Sequence, residues 1–315
     1  MKSLSDGIKD YVLMKKAMGF SFYDQELRLR SFCKFMEKNN KVKITLDLSK
    51  RWALDGIKSP TWRNAKNLST LRAFATYWKT IDTKTELWPH NYWPIRYQRK
   101  NPYIYRDSEV QKLLRACHTL EPKMNTRSLT FYTLFGLIAA CGLRVSEALS
   151  LTIDDANLNA GIITIRVTKF NKTRAIPVHE TTRRALKKYA AVRDSYCKQI
   201  GVEIHGARPF FITPKGGVIS GGIVEWTFNK IALKCGVRKE SRRGPRIHDL
   251  RHTFVVRTLE SWYSQKKNVE VLLPVLSTYV GHAQPGSTFW YMTITPELMA
   301  LASERMDIYM GGLSK

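Results

Sequence analysis

The chain has 315 residues, 43% of them hydrophobic and 11% aromatic, which is ample for a packed core, excludes a disordered basic tail and suggests two domains. Fifty-two Lys and Arg face 26 Asp and Glu, a formal charge of +26, and the basic excess is 12 over residues 1–100 and 14 over the rest. Both parts therefore call for a polyanionic partner such as nucleic acid.

The opening MKSLSDGIKDYV mixes charged with apolar residues and does not read as a signal peptide. Helical periodicity runs through residues 3–18, 22–39 and 47–56, broken at GFS and NNKVKI. In TWRNAKNLSTLRAFATYWKTI, Leu68, Leu71, Phe74, Ala75, Trp78 and Ile81 form one apolar stripe. Arg63, Lys66, Arg72 and Lys79 fall elsewhere on the wheel, as a DNA face or as solvated surface. Residues 1–85 thus read as a small helical bundle of a size that could lie on a duplex. Residues 86–105 hold prolines, aromatics and the basic residues Arg96, Arg99 and Lys100 without periodicity, and read as a linker.

From residue 106 to 315 the pattern becomes mixed, mainly α with a small β-hairpin, so the whole chain is of α+β class. Ser108 with Gln111 offers a capping box for a helix to about residue 118. The longest apolar run, LTFYTLFGLIAAC over 129–141, is too short for a membrane span of ~20 residues and reads as a buried helix. Gly142 is placed to end it in a left-handed cap and Ser146 to start the next short helix. GIITIRVT and TRAIPVH are β-rich runs joined by KFNK, and PFFIT reads as another strand. TTRRALKKYAAVRDSYCKQ, GGIVEWTFNKIALKCG and TPELMALASERMDIYM read as helices, the last with Pro296 in its first turn and a stripe of Leu298, Leu301, Ala302 and Ile308. The cysteines Cys33, Cys117, Cys141, Cys197 and Cys235 are odd in number and form no C-x-x-C pair, which argues for reduced, cytosolic thiols and against a disulfide frame or zinc ribbon.

RIHDLRHTF, residues 246–254, gathers positive side chains in a chain that is already basic. On a helix beginning near His248, the side chains of His248, Arg251 and His252 share a face. Two histidines at this spacing suit zinc, but Arg251 would set a fixed positive charge beside the ion and no third ligand follows, so no metal is expected. A phosphate explains His248 and Arg251 together, and His252 reads as a core histidine.

Several separated motifs, in order, make the chain resemble the tyrosine recombinase (phage integrase) family over about residues 106–310. ACGLRVSEALSL is similar to the family's first box, with Arg144 as its arginine and Glu147 as supporting acid; HDLRHTF is similar to the second, with His248 and Arg251. YVGHAQPGSTFWYM resembles the closing segment, with His282 and, nine residues on, Tyr291 as nucleophile. Lys169 takes the position of the family's β-hairpin lysine, with Lys172 in the same turn as competitor. Arg251 and His282 lie 31 positions apart, more than is usual in the family, and with STFWYMTITPELMALASERM this resembles recombinases encoded in trios within bacterial mobile elements.

The resemblance implies a helical core-binding domain and a catalytic domain that clamp duplex DNA, with no cofactor. Tyr291 would attack phosphorus to give a 3′-phosphotyrosyl bond, Arg144 and Arg251 would hold the non-bridging oxygens, and Lys169 would protonate the leaving oxygen. His248 would serve as general base or proton shuttle and His282 as phosphate ligand. Implied partners are DNA sites with inverted repeats and further copies of the chain, a dimer per site and a tetramer in synapsis, with partner recombinases of the same element. The expected setting is the bacterial cytoplasm at the nucleoid, away from membranes. A type IB topoisomerase and a non-catalytic DNA-binding factor are the alternatives. If phosphate contacts dominate binding, log affinity should fall against log salt by ~0.9 per phosphate neutralised; titration by fluorescence anisotropy at several ionic strengths would measure the slope.

Overall fold

Three of the first four helices start where a side-chain oxygen can take an otherwise unpaired amide. Ser3 accepts from Asp6 N, Thr45 accepts from Leu48 N, and Thr61 and Asn64 cap each other reciprocally. In the computed structural model these residues open α1 (Leu4–Ala17), α3 (Leu46–Leu54) and α4 (Trp62–Trp78), and α2 spans Tyr23–Lys38. The structure describes residues 2–95, 101–121, 126–166, 173–239, 244–282 and 286–311, with side chains up to residue 304. Arg96, Arg99, Lys100, Lys169 and Lys172 therefore lie outside the described residues.

The chain divides into two units, Met1–Lys100 and Asn101–Lys315. In the first, Ile8 and Tyr11 of α1, Phe32 and Met36 of α2, Trp52 of α3 and Leu71, Phe74 and Trp78 of α4 close one apolar core. Ile81 departs from its expected stripe: α4 has ended and the side chain is exposed. Arg63, Lys66 and Lys79 are exposed, and Lys66 Nζ lies 5.0 Å from the centre of the Trp62 ring. Arg72 turns inward, donating to the Trp88 carbonyl and meeting His90 Nε2 at 2.8 Å, so it ties this part of the expected linker to α4.

The second unit contains α5 (Asp107–Cys117), α6 (Arg127–Cys141), α7 (Val145–Leu149), α8 (Glu180–Gln199), α9 (Gly221–Lys234), α10 (Ile247–Ser264), α11 (Val269–Val280), α12 (Gly286–Phe289) and α13 (Pro296–Gly311). A 3₁₀ turn, Trp290–Thr293, joins α12 to the segment before α13. The expected hairpin is present as β2 (Ile162–Ile165) and β3 (Arg174–Pro177), antiparallel with Ile163 opposite Ile176. A two-residue strand, β1 (Ala156–Asn157), extends it to an antiparallel sheet of order β1-β2-β3. PFFIT forms only isolated bridges, Thr152 with Pro209 and Ile212 with Val218. Its Phe210 and Phe211 pack on Tyr189 in the core instead.

Helix starts in this unit follow a different chemistry from the expected serine caps. The backbone amides of Arg106, Arg144 and Arg246 donate to the carboxylates of Glu109, Glu147 and Asp249, at 2.8, 2.9 and 2.8 Å. These open α5, α7 and α10, displacing Ser108 and Ser146 from the cap position. An anion inside the first turn satisfies an amide and faces the positive helix end at once.

α6 carries Leu134, Phe135, Leu137 and Ile138 through the core and stops at Gly142, whose φ of 62° is the expected left-handed cap. A second cluster joins Val255 and Leu259 of α10, Leu273 and Val280 of α11, Tyr291, Ile294 and Leu298. Leu298 is thereby buried within its own chain, while Leu301 and Ala302 are half-buried and the side chain of Ile308 lies outside the description. Among the described residues no helix is long and apolar enough to cross a membrane. A Cβ on Gly142 would lie 2.4 Å from the Phe254 ring, in backbone that already disfavours one. Gly142→Ala should lower stability by at least ~1–3 kcal/mol, measured by urea denaturation.

Candidate active site

Glu147 sits three residues into α7, just past the glycine that ends α6, and is almost wholly buried. Beyond the Arg144 amide, its Oε1 accepts from Arg144 Nη1 at 2.6 Å and from Arg174 Nη1 at 3.2 Å. Oε2 accepts from Arg174 Nη2 at 2.8 Å, and Arg251 Nη1 stands 3.9 Å from it. Burial pushes the carboxyl up, but hydrogen bonds from Arg174 and the Arg144 amide outweigh it and hold the group below its ordinary range.

The same three arginines meet the end of α11. Tyr279, Val280 and Gly281 offer successive carbonyls, which accept from Arg174 Nε at 2.9 Å, Arg251 Nη2 at 2.6 Å and Arg144 Nη2 at 2.7 Å. Arg251 also donates from Nη1 to the Gly142 carbonyl at 2.7 Å, so it bridges the C-terminal ends of α6 and α11. Burial, then the charge of Arg144, pushes Arg251 down to about 10. Gly281 turns the chain with φ 68°, and a Cβ there would come within 2.7 Å of Arg174 Nη1. Of the three guanidiniums Arg144 is the most open, with 27% of its side chain exposed, against 10% for Arg174 and 2% for Arg251.

The histidines and the tyrosine lie beside this cage. His248, on the first turn of α10, keeps an edge open to solvent, yet enclosure by the surrounding protein and then the charges of Arg251 and Arg246 push it down to about 4. Its ring meets that of His252 edge-on, centroids 4.8 Å apart. His252 is buried, and its Nδ1 lies 2.7 Å from the Tyr291 hydroxyl. Tyr291 is itself 1% exposed, and its ring lies nearly parallel to that of His282 at 6.0 Å. His282 Nδ1 meets Thr288 Oγ1 at 2.7 Å.

The structure thus brings Arg144, Glu147, His248, Arg251, His282 and Tyr291 into one neighbourhood of the second unit, and adds two residues. Arg174 was legible in principle: it shares the phase of buried Ile176 on β3, and an arginine on the inward face of a strand needs an anionic partner. His252 was read as a core histidine; it is buried, but the phenol's partner in this geometry is His252 rather than His248. Among the described residues no group of three or more His, Cys, Asp or Glu could hold a metal. The arrangement offers closely packed N–H donors to a tetrahedral anion next to a hydroxyl held by imidazole.

Removing the central carboxylate leaves the arginines facing one another uncompensated. Glu147→Ala should cost about 3–5 kcal/mol near pH 7. Because the folded-state pKa is lowered, the carboxylate's contribution is present above its unfolded value of ~4.3 and fades as pH falls through the folded one, so the difference should narrow in acid. Denaturant titrations of both proteins at pH 7 and at pH 3.5 would check it.

The model of the phage integrase family matches residues 104–297. The protein y4rB of Sinorhizobium fredii, named for the integrase/recombinase class, is 34% identical over 98% of each chain. Tyrosine recombinase XerD of Oceanobacillus iheyensis is 32% identical over 62% of this chain and 59% of its own. Among solved structures, the Tn1549 transposon integrase in complex with a circular intermediate DNA superposes with a TM-score of 0.65 at 16% identity, covering 97% of this chain and 100% of that one. XerH site-specific recombinase bound to its difH substrate gives 0.62 at 21%, covering 96% and 84%. These two establish a shared fold. With the family match spanning more than half the chain and a relative of that identity along nearly its full length, the chain belongs to the phage integrase family of tyrosine recombinases.

Proposed function

We propose that this recombinase cleaves and rejoins duplex DNA at specific sites, with Tyr291 as nucleophile. The observation that carries the reading is a buried phenol, hydrogen-bonded to an imidazole, beside three arginines gathered on one carboxylate. A phenol with an ordinary pKa of ~10 is a poor nucleophile until its proton is taken and the charge growing on the phosphate is balanced. Arg144 and Arg251 supply that balance at the non-bridging oxygens, where losing one donor costs ~10²- to 10³-fold in rate. Glu147 and Arg174 hold the two guanidiniums in register, and His248 and His282 complete the phosphate's surroundings.

Attack forms the Tyr291 Oη–P bond and releases a 5′-hydroxyl, whose proton comes from Lys169. The 3′-phosphotyrosyl bond retains the energy of the broken linkage, so a second 5′-hydroxyl reverses the step without ATP. The basic residues of the first unit, Arg63, Lys66 and Lys79 with Arg96, Arg99 and Lys100, and Lys172 in the second, contribute phosphate contacts in a clamp on the duplex.

Strand exchange needs two cut duplexes, hence a dimer on each inverted-repeat site and a tetramer in synapsis, with partner recombinases of the same element where one chain does not suffice. The reaction suits movement of a mobile element, as the name of the transposon integrase of like fold suggests, and its setting in this reading is the bacterial cytoplasm, at the nucleoid. On a nicked duplex built from inverted repeats flanking the gene, the protein should become attached to the 3′ side of the break, in excess EDTA as well as without it. Tyr291→Phe should abolish the adduct while leaving DNA affinity intact, and Tyr279→Phe should retain it; gel analysis of denatured complexes would read both.

A further inference from the structure

The phosphate chemistry leaves one step without an agent: removal of the phenolic proton. Glu147 is a poor acceptor, since it is locked by arginines and held below its ordinary range. Asp249, on the first turn of α10, is engaged by the amide and guanidinium of Arg246. His248 meets the ring of His252 rather than the phenol. Among the described residues, His252 Nδ1 lies 2.7 Å from the Tyr291 hydroxyl, inside the 2.6–3.2 Å reach typical of a general base, and it can accept the proton in the tautomer protonated at Nε2.

Its position follows from helix geometry. His252 is the next residue after Arg251 and the fourth after His248, so the turn that sends Arg251 to the carbonyls of Gly142 and Val280 sends its neighbour to the tyrosine. Among the described residues, the groups around it include His248 and Arg251 from α10, Trp290 and Tyr291 from the 3₁₀ turn, and His282 across the tyrosine ring. The ring is buried, which keeps bulk water from competing for the proton.

We propose that His252 is the proton acceptor for Tyr291, an inference that rests on Tyr291 being the nucleophile. Neutral His252 takes the phenolic proton at Nδ1 as the Oη–P bond forms and the P–O5′ bond breaks, and Lys169 protonates the departing oxygen. On rejoining, the incoming 5′-hydroxyl gives its proton to Lys169, the Oη–P bond breaks, and the imidazolium returns its proton to the phenolate. Both side chains end as they began, and no further reactant is consumed.

The test uses the full chain and the nicked duplex above with sulfur in place of the bridging 5′-oxygen. A thiolate leaves without protonation, so the rate of adduct formation reports activation of Tyr291. His252→Asn puts an amide atom near the position of Nδ1, able to hold the phenol but not to carry its proton. The variant should form adduct ~10²- to 10⁴-fold more slowly at pH 7, with a rate climbing about tenfold per pH unit toward pH 9 as the phenol ionises by itself. The wild-type rate should rise through the imidazole range and level off. A His252→Asn rate equal to or above wild type would overturn the proposal, since His252 would then only hold or restrain the phenol. Should the variant fail to fold, the wild-type profile decides: levelling supports the base, and a tenfold climb per unit up to pH 9 overturns it. Adduct formation by Tyr291→Phe would instead overturn the assignment of the nucleophile.

Discussion

One buried carboxylate makes the rest of the site possible. Three guanidiniums within reach of each other repel strongly where the surroundings are poorly polarisable, and Glu147 stands among all of them, bonded to Arg144 and Arg174 and 3.9 Å from Arg251. Among the described residues of the cage, three fixed positive charges stand against one negative, and the excess is the attraction offered to a phosphate. The carboxylate thus fixes the spacing of the arginines, while their surplus sets the sign of what they receive.

The second constraint is the end of a helix. The last carbonyls of any α-helix lack intrahelical partners and carry the negative end of its dipole. α6 and α11 both stop in left-handed glycines, and arginines donate to the carbonyls there. Arg251 ties the two helix ends, Arg174 brings in β3, and Arg144 joins α7 to Gly281. The chain that leaves Gly281 carries His282 and then Tyr291, so the position of the phenol is referred to the same backbone that orders the guanidiniums.

Local signals in the sequence account for much of this. Gly142 after an apolar helix, the β2–β3 hairpin and the helix bearing His248 and Arg251 were legible because each depends on neighbouring residues alone. What escaped depends on distant partners. β1 exists only because Ala156 and Asn157 meet Ile163 and Ile162, and PFFIT, though β-rich, packs its phenylalanines into the core between bridges instead of joining a ladder. The helix starts at Arg106 and Arg144 differ from the expected serine caps, and that at Arg246 follows the same chemistry, because an acid in the first turn is the stronger partner for the free amide. Arg174 and His252 were each visible as polar groups on inward positions, but their partners, Glu147 and Tyr291, lie 27 and 39 residues away.

The carbonyl contacts of α11 have a consequence for how this region tolerates change. The arginines address its main chain, which every amino acid supplies alike, so the outward side chains of α11, Val271 and Val275 among them, are free to drift without disturbing the cage. Identity is demanded only where a side chain would intrude, at Gly281 and at Gly142. A recombinase built this way can diversify the outer surface of α11 while its chemistry stays fixed by two hydrogen atoms where other residues carry a carbon.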